Sequence, residues 1–415
     1  MIIGREIQQR GFGFQPNHKT KPLFEYDGEA PATIIASTGA GKGRDFIIPN
    51  MLTFKGSIVA IDPKGELFAV TSRRRREMGQ QVIALDPWQL RVKHGCALNF
   101  FDLFKLEGSF LESDSEMLAS MLATGHYIQN DPFWTDTATG VISGLIAHIA
   151  STEENPTFTH LRSYLHHDDL DYKLATILDA KATKSQLAHD EFVAYLNHPT
   201  DKTRPCVLSS ATTFVKALGS PEVSKCLDSS SIDLADVVAG KPFTIYIIIP
   251  PDKLNSHKAL MRVWVATLLT AVMRRKVIPE HKTLFILDEA AQLGSNFEPL
   301  LTAATLLRSY GLQLVTIWQS LAQLASRYPL DWKTILDNSG IIETFGLSHF
   351  GTAKELGDFI GMNPQELMSM SPDEAAISVR GQGTRVIKRP NYLRDRVFQG
   401  MADPNPLFAG KSPSR

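Results

Sequence analysis

The spacing of apolar residues changes along the chain and predicts two kinds of structure. Short runs rich in β-branched residues predict buried strands at 32–36, 57–62, 81–85, 243–249, 283–287, 312–317 and 341–346. Apolar residues at helical spacing separate several of these runs, as at 65–78 and 257–276. Because alternating strands and helices form parallel sheets with right-handed crossovers, the pattern predicts an α/β fold with a mostly parallel central sheet.

The middle of the chain follows the helical period alone. Helices are predicted at 116–123, 133–149, 161–165, 170–178, 191–195 and 205–218, with few strand-like runs between them. This pattern predicts an all-α domain inserted into the α/β domain. The expected division is an N-terminal arm at 1–28, two parts of a nucleotide-binding domain at 29–100 and 240–370, the insertion at 101–239, and an irregular C-terminal tail at 371–415. The end of that tail, 404–415, is rich in proline, glycine and serine and is expected to be disordered.

A glycine-rich turn follows the first predicted strand. Gly39 and Gly41 can take positive φ, so that successive backbone N–H groups point inward at an anion, and Lys42 can reach the β- and γ-phosphates of a nucleotide. The expected nucleotide-binding residues are Ser37, Thr38, Gly39, Ala40, Gly41, Lys42, Gly43 and Arg44. The match to a phosphate loop is imperfect, since Ala36 stands where a glycine is usual and Gly43 replaces the hydroxyl residue that holds Mg²⁺. Taken alone, the stretch also fits a glycine-rich turn without a ligand.

A second candidate motif lies at the end of the strand predicted at 283–287. Asp288 can hold Mg²⁺ through water, and Glu289 can polarise an attacking water molecule. Gln319 follows the next strand along the chain, where an amide can sense the γ-phosphate. Arg308 lies at the end of the preceding helix, and it fits either a solvated cation or a side chain that reaches a neighbouring subunit's nucleotide in a ring.

Composition narrows the function less than the motifs do. The 415 residues carry a formal net charge of -1, so global charge indicates neither a nucleic-acid nor a membrane partner. Three dispersed cysteines argue against a disulfide framework and favour a reducing, cytosolic setting. The most apolar stretch, 263–273, is shorter than the roughly 20 residues of a membrane span, so a soluble chain is expected.

Four consecutive arginines, 73–76, fit either solvated helix-end cations or a DNA- or subunit-facing patch.

Five motifs in a fixed order carry a family resemblance. They read STGAGKG with IPNML at 37–52, IDPKGE at 61–66, DPFW at 131–134, LDEAAQLG at 287–294, and RSYG to IWQS at 308–320. Together they resemble the TraG-like type IV coupling proteins, the conjugative DNA-transfer ATPases. The similarity runs from about Glu6 to Met362.

The resemblance implies a RecA-like P-loop NTPase that uses ATP and Mg²⁺. It implies a hexameric ring at the cytoplasmic face of the inner membrane, which delivers single-stranded DNA with its relaxase to the channel components of a type IV secretion system. The implied roles are Lys42 as the phosphate-binding lysine, Asp288 and Glu289 as metal-water holder and catalytic base, Gln319 as nucleotide sensor, and Arg308 as a finger acting across subunits. The helical insertion would recognise relaxase or relaxosome proteins.

Two alternative functions stay open, and the sequence departs from the family pattern in one respect. The same motor could pass protein effectors, or the imperfect loop could make the protein a scaffold that binds ATP without hydrolysing it. Family members usually begin with a pair of membrane-spanning helices, which this sequence lacks. We therefore expect either a trimmed soluble form, whose N-terminal membrane anchor is missing, or a membrane-free member that docks through partners.

Overall fold

The computed structural model describes residues 1–6, 23–123 and 132–408, which form one mixed sheet flanked by helices. Seven central strands are parallel, in the order β9-β3-β8-β7-β4-β6-β5, and four antiparallel strands extend the sheet beyond β9 in the order β10-β11-β1-β2. The strands are β1 Ile2–Glu6, β2 Leu23–Glu25, β3 Ala32–Ala36, β4 Ile58–Ile61, β5 Gln81–Leu85, β6 Phe243–Ile247, β7 Thr283–Leu287, β8 Leu312–Trp318, β9 Ile341–Phe345, β10 Glu374–Val379 and β11 Gly383–Lys388. The predicted α/β fold with a mostly parallel sheet is confirmed.

Helices cover both faces of the sheet. They are α1 Ile48–Thr53, α2 Glu66–Glu77, α3 Leu111–Ala123, α4 Pro132–Thr152, α5 Phe158–Leu165, α6 Leu170–Asp179, α7 Gln186–Asn197, α8 Thr203–Lys216, α9 Pro221–Leu227, α10 Leu234–Val238, α11 Pro251–Leu254, α12 Lys258–Met273, α13 Glu298–Thr305, α14 Leu321–Arg327, α15 Trp332–Asn338, α16 Phe350–Ile360 and α17 Pro364–Ser369. Alternate residues of the central strands enter two separate cores, because successive side chains in a strand point to opposite faces. One core contains α1 and α2, and the other contains α12 together with α3, α4, α7 and α8.

The described residues between β5 and β6 form helices and loops with no strand, as the helical period predicts. Helix α4 runs through the middle of this segment, and most of its residues from Val141 to Ile149 are buried. The segment is held to α12 by an ion pair in which Arg274 Nη2 lies 2.5 Å from Asp114 Oδ2. That 101–239 forms a separate domain stays a prediction.

Both ends of the chain differ from expectation. The 1–28 arm contributes the strands β1 and β2, and the tail expected to be irregular at 371–415 contains the hairpin β10–β11. The hairpin forms because Gly381 and Gly383, at φ 76° and 77°, close a turn between strands whose apolar residues pack on the sheet core. Residues 404–408 are also placed in the structure, although disorder is predicted for them, because Asp403 and Asn405 bind side chains of α2. Residues 409–415 lie outside the described part of the chain.

Two of the four arginines of α2, Arg73 and Arg75, bind other segments of the fold. Arg75 is fully buried and donates hydrogen bonds to Thr244 Oγ1 at 2.8 Å, to the Gly56 carbonyl at 2.6 Å and to the carbonyls of two further residues. Arg73 binds Asp403 at 2.7 Å. Neither predicted alternative describes Arg75, since it is neither solvated nor part of a surface patch.

Candidate active site

The phosphate loop has the conformation that the glycine pattern predicts. Strand β3 is entirely buried, and the backbone beyond it turns through Gly39 at φ 79° and Gly41 at φ 92°. Lys42 is the N-cap of a short π-helix, Gly43–Ile47, which continues directly into α1. The Lys42 ammonium donates a hydrogen bond to the Ala36 carbonyl at 3.2 Å, so it lies across the mouth of its own loop.

The two acidic residues lie directly after β7. Burial, and then the neighbouring Glu289, raises the pKa of Asp288 from its ordinary 3.8 to about 6, while Lys42 and Lys64 lower it. Glu289 adopts the left-handed conformation, at φ 56° and ψ 48°, which is unusual for a residue with a side chain. Unfavourable backbone conformations of this kind are found at functional sites, where the surrounding structure holds them.

A hydrogen bond and an ion pair join residues that follow three adjacent strands. Gln319 follows β8, and its Nε2 donates to Glu289 Oε2 at 2.8 Å. The other oxygen, Glu289 Oε1, lies 3.8 Å from Lys42 Nζ. The Gln319 backbone N–H donates to Gln323 Oε1 at 2.8 Å, which fixes the start of the following loop. The structure therefore brings the predicted lysine, carboxylates and amide together at the carboxyl edge of the sheet.

The other predicted site residues do not contact Lys42, Glu289 or Gln319 in the hydrogen bonds and ion pair described above. Arg308 lies in the 3-10 turn Leu307–Tyr310 before β8, at the opposite edge of the sheet, so it does not join the site within one chain. Ser37 Oγ donates to the Gly346 carbonyl at 2.5 Å, and the Arg44 guanidinium pairs with Asp45 at 2.6 Å. Thr38 and Gly39 are exposed at the tip of the loop. Nucleotide contacts by these loop residues stay a prediction.

The site also includes buried groups that the sequence pattern did not single out. Asp45 lies beneath the loop, Glu343 lies on β9, and Arg389 follows β11. The only sequence signal for Arg389 is a Lys-Arg-Pro triplet, which is equally typical of an exposed tail.

The donor set fits a magnesium nucleotide. Mg²⁺ in such sites keeps several waters and takes only one or two carboxylates besides the phosphate oxygens. Asp288 is a partly accessible carboxylate at the edge of the sheet, close enough to Lys42 to interact with it electrostatically. Asp288 is thus the side chain that would hold the ion.

Comparison with known proteins shows the family of the chain. Residues 2–382 match the family described as "Type IV secretory system Conjugative DNA transfer". The chain belongs to this family. The predicted resemblance to TraG-like coupling proteins is confirmed.

Relatives of the chain carry consistent names. The conjugal transfer protein TraG of Rhizobium radiobacter is 27% identical over 308 residues, covering 72% of this chain and 47% of TraG. Protein VirD4 of Agrobacterium fabrum is 27% identical over 409 residues, covering 95% of this chain and 58% of VirD4. The chain thus spans about half the length of such relatives.

Solved structures share the fold. The plasmid coupling protein TrwB, in complex with the GTP analogue GDPNP, superposes with a TM-score of 0.68 at 17% identity, over 88% of this chain and 86% of TrwB. TrwB in complex with ADP and Mg²⁺ superposes with a TM-score of 0.67 at 16% identity, over the same shares of the two chains. The fold is therefore RecA-like. In the described part of the chain, no helix combines the length and hydrophobicity that crossing a membrane requires.

Proposed function

We propose that the protein hydrolyses ATP with Mg²⁺ and uses the energy to move single-stranded DNA in a type IV secretion or conjugation system. One observation carries the catalytic part of the proposal. Glu289 lies between Lys42 at 3.8 Å and Gln319 at 2.8 Å. The three residues follow three adjacent parallel strands, β3, β7 and β8, which end at the same edge of the sheet. A scaffold that only binds ATP has no need for a carboxylate held beside an amide and a lysine. Solved complexes of TrwB with an ATP analogue and with ADP and Mg²⁺ support the same nucleotide.

The contacts suggest how each side chain works. Phosphate oxygens would compete with Ala36 and Glu289 for the Lys42 ammonium, because charge-assisted hydrogen bonds to phosphate are strong. Glu289, released from the lysine, would accept the proton of the attacking water while Gln319 holds its other oxygen. When bound, Mg²⁺ neutralises charge on the β- and γ-phosphates.

The partners follow from the family. We infer a homo-hexameric ring at the cytoplasmic face of the inner membrane, joined to the secretion channel and supplied with relaxase-bound DNA. A ring is supported by the position of Arg308, which is exposed at the edge of the sheet opposite its own phosphate loop. There it could act only on a nucleotide held by a neighbouring subunit. Helices α3 to α10 would receive relaxase or relaxosome proteins.

The test is steady-state ATP hydrolysis with and without single-stranded DNA, over a range of protein concentrations. The wild type is compared with Lys42→Ala, Glu289→Gln and Arg308→Ala. We expect activity that rises with DNA and steeply with concentration, and that is lost in all three variants. Mixing Arg308→Ala with Glu289→Gln should restore part of the activity, since each ring interface needs the arginine of one subunit and the glutamate of another.

Three outcomes would contradict parts of the proposal. Hydrolysis that is unaffected by DNA but stimulated by a secretion-signal peptide would indicate a receptor for protein effectors. ATP binding without turnover under every condition would indicate a scaffold. Activity of Arg308→Ala equal to wild type would remove the argument for a finger acting across subunits.

A further inference from the structure

The buried side chain of Arg389 reaches the phosphate loop from the far end of the chain. Its Nη1 donates to the Ala40 carbonyl at 2.8 Å and lies 3.1 Å from Asp45 Oδ2. Nη2 donates to the Pro372 carbonyl, and the guanidinium carbon stacks 4.0 Å from the centre of the Phe345 ring. Only 4% of the side chain is exposed, so these contacts leave it one orientation.

The bond to the Ala40 carbonyl controls the direction of a phosphate-binding donor. A peptide unit is planar and trans, so the Ala40 C=O and the Gly41 N–H point in opposite directions. Holding the carbonyl toward Arg389 therefore turns the Gly41 N–H to the other side of the loop. That is the direction a phosphate loop needs, since its N–H groups must converge on the anion.

The loop packs directly on the ion pair, which leaves little freedom for any other arrangement. A Cβ atom placed on Gly41 would lie 2.8 Å from Asp45 Oδ2 and 3.5 Å from Arg389 Nη1. Asp45 also binds the loop by its own backbone, because its N–H donates to the Gly41 carbonyl at 2.8 Å. The guanidinium thus fixes the peptide on one side of Gly41, and Asp45 fixes the peptide on the other.

Arg389 supplies positive charge to two buried carboxyl groups beneath the loop, those of Asp45 and Glu343. Asp45 is 3% exposed and is paired with Arg389 on one oxygen and with Arg44 on both. Burial raises the pKa of Glu343 to about 8, and Arg389 counteracts this rise while Asp45 adds to it. Removing the guanidinium would leave Asp45 paired with the partly exposed Arg44 and would take away the positive charge that lowers the pKa of Glu343.

We propose that Arg389 is a positioning residue for the phosphate loop and that the segment after the hairpin β10–β11 is part of the nucleotide site. The inference rests on the proposed function in that the nucleotide is ATP. Arg389 acts through the Ala40–Gly41 peptide and touches no phosphate itself. It lies beyond residues 2–382, the part of the chain that matches the family.

The experiment compares Arg389→Gln and Arg389→Lys with the wild type by equilibrium binding of ATP and by KM and kcat for its hydrolysis. We expect Arg389→Gln to weaken ATP binding and to raise KM by about tenfold or more, which is the effect of losing one charge-assisted hydrogen bond, with kcat within about threefold of wild type. Arg389→Lys should show a smaller rise in KM, because an ammonium can reach one of the acceptors but cannot bridge all three.

Arg73→Gln is the matched control. Arg73 also binds the C-terminal segment, through Asp403 and the carbonyls of Gly400 and Met401, but it has no contact with the phosphate loop. Its KM should equal that of the wild type. Hydrogen exchange of the 37–45 peptide should become faster in the Arg389 variants and stay unchanged in this control.

The outcomes separate the inference from the proposed function. If the wild type binds no ATP, the proposed function fails. If it binds ATP and both Arg389 variants bind with wild-type affinity, the inference is overturned and the function stands. If Arg389→Gln does not fold, Arg389→Lys decides, and a wild-type KM for that variant would overturn the inference.

Discussion

Replacing Asp288, the carboxylate that would hold Mg²⁺, by asparagine should stabilise the nucleotide-free protein. The pKa of Asp288 is about 6 in the folded chain against an ordinary 3.8, because burial disfavours its charge. A tenfold change in proton affinity is worth about 1.4 kcal/mol, so keeping Asp288 ionised costs the native state up to about 3 kcal/mol above pH 6. Asp288→Asn removes this cost, although the partial accessibility of the carboxylate makes the measured gain smaller.

The pH dependence has a definite sign. Well below pH 3.8 Asp288 is protonated in both states, so wild type and Asp288→Asn should have equal stability there. As pH rises from 4 to 6 the unfolded chain loses this proton before the folded chain does. The wild type therefore loses stability relative to the variant across this window, and the difference is constant above it.

Urea unfolding with EDTA and without nucleotide, at several pH values between 4.5 and 8, measures this difference. Asp252→Asn is the control, because the Asp252 side chain is 69% exposed and its replacement should change the free energy of unfolding by no more than about 0.5 kcal/mol. The same Asp288→Asn protein should have lost Mg²⁺-dependent hydrolysis. An Asp288→Asn variant no more stable than wild type at pH 7.5, or a gain independent of pH, would refute the reasoning.

Three further changes test other parts of the site and its support. Glu289→Gln should bind ATP normally but hydrolyse it at least about a hundredfold more slowly, as single-turnover kinetics would show, and unchanged turnover would exclude it as the base. In an ATP titration, Gly41→Ala should weaken binding more than Gly39→Ala does. Both residues have positive φ, but only a methyl group on Gly41 would contact another side chain. Equal losses of affinity would contradict this reasoning. Arg75→Leu should lower the free energy of unfolding by about 3 kcal/mol or more, since several buried carbonyls lose their donor, and a loss below about 1 kcal/mol in urea would contradict it.

The central sheet and the core of the active site were predictable because their signals are local. Each buried parallel strand is a continuous apolar run, and parallel strands place their following residues at one edge. The meeting of Lys42, Glu289 and Gln319 follows from this rule together with the glycines of the loop. No contact between distant segments had to be predicted beyond those that this rule gives.

The missed features all depend on such distant contacts. Strand β1 has only two strongly apolar residues, Ile2 and Ile3, and is ordered by pairing with β11, almost 400 residues away. Arg75 and Arg389 look like surface cations in the sequence, and only the packing of α2 and of β11 on the sheet shows that both are buried. The action of Arg308 across subunits stays a prediction, because a single chain does not show a neighbouring subunit's nucleotide.

The strand order has a consequence for synthesis of the chain on the ribosome. Until β10 and β11 have emerged, β9 is an open sheet edge and β1, whose partners are β2 and β11, can join the sheet only through the missing hairpin. A nascent or prematurely ended chain would therefore present an unpaired edge beside a phosphate loop without Arg389. Such chains should be prone to aggregation and proteolysis, and a phosphate loop held by Arg389 arises only after translation through residue 389.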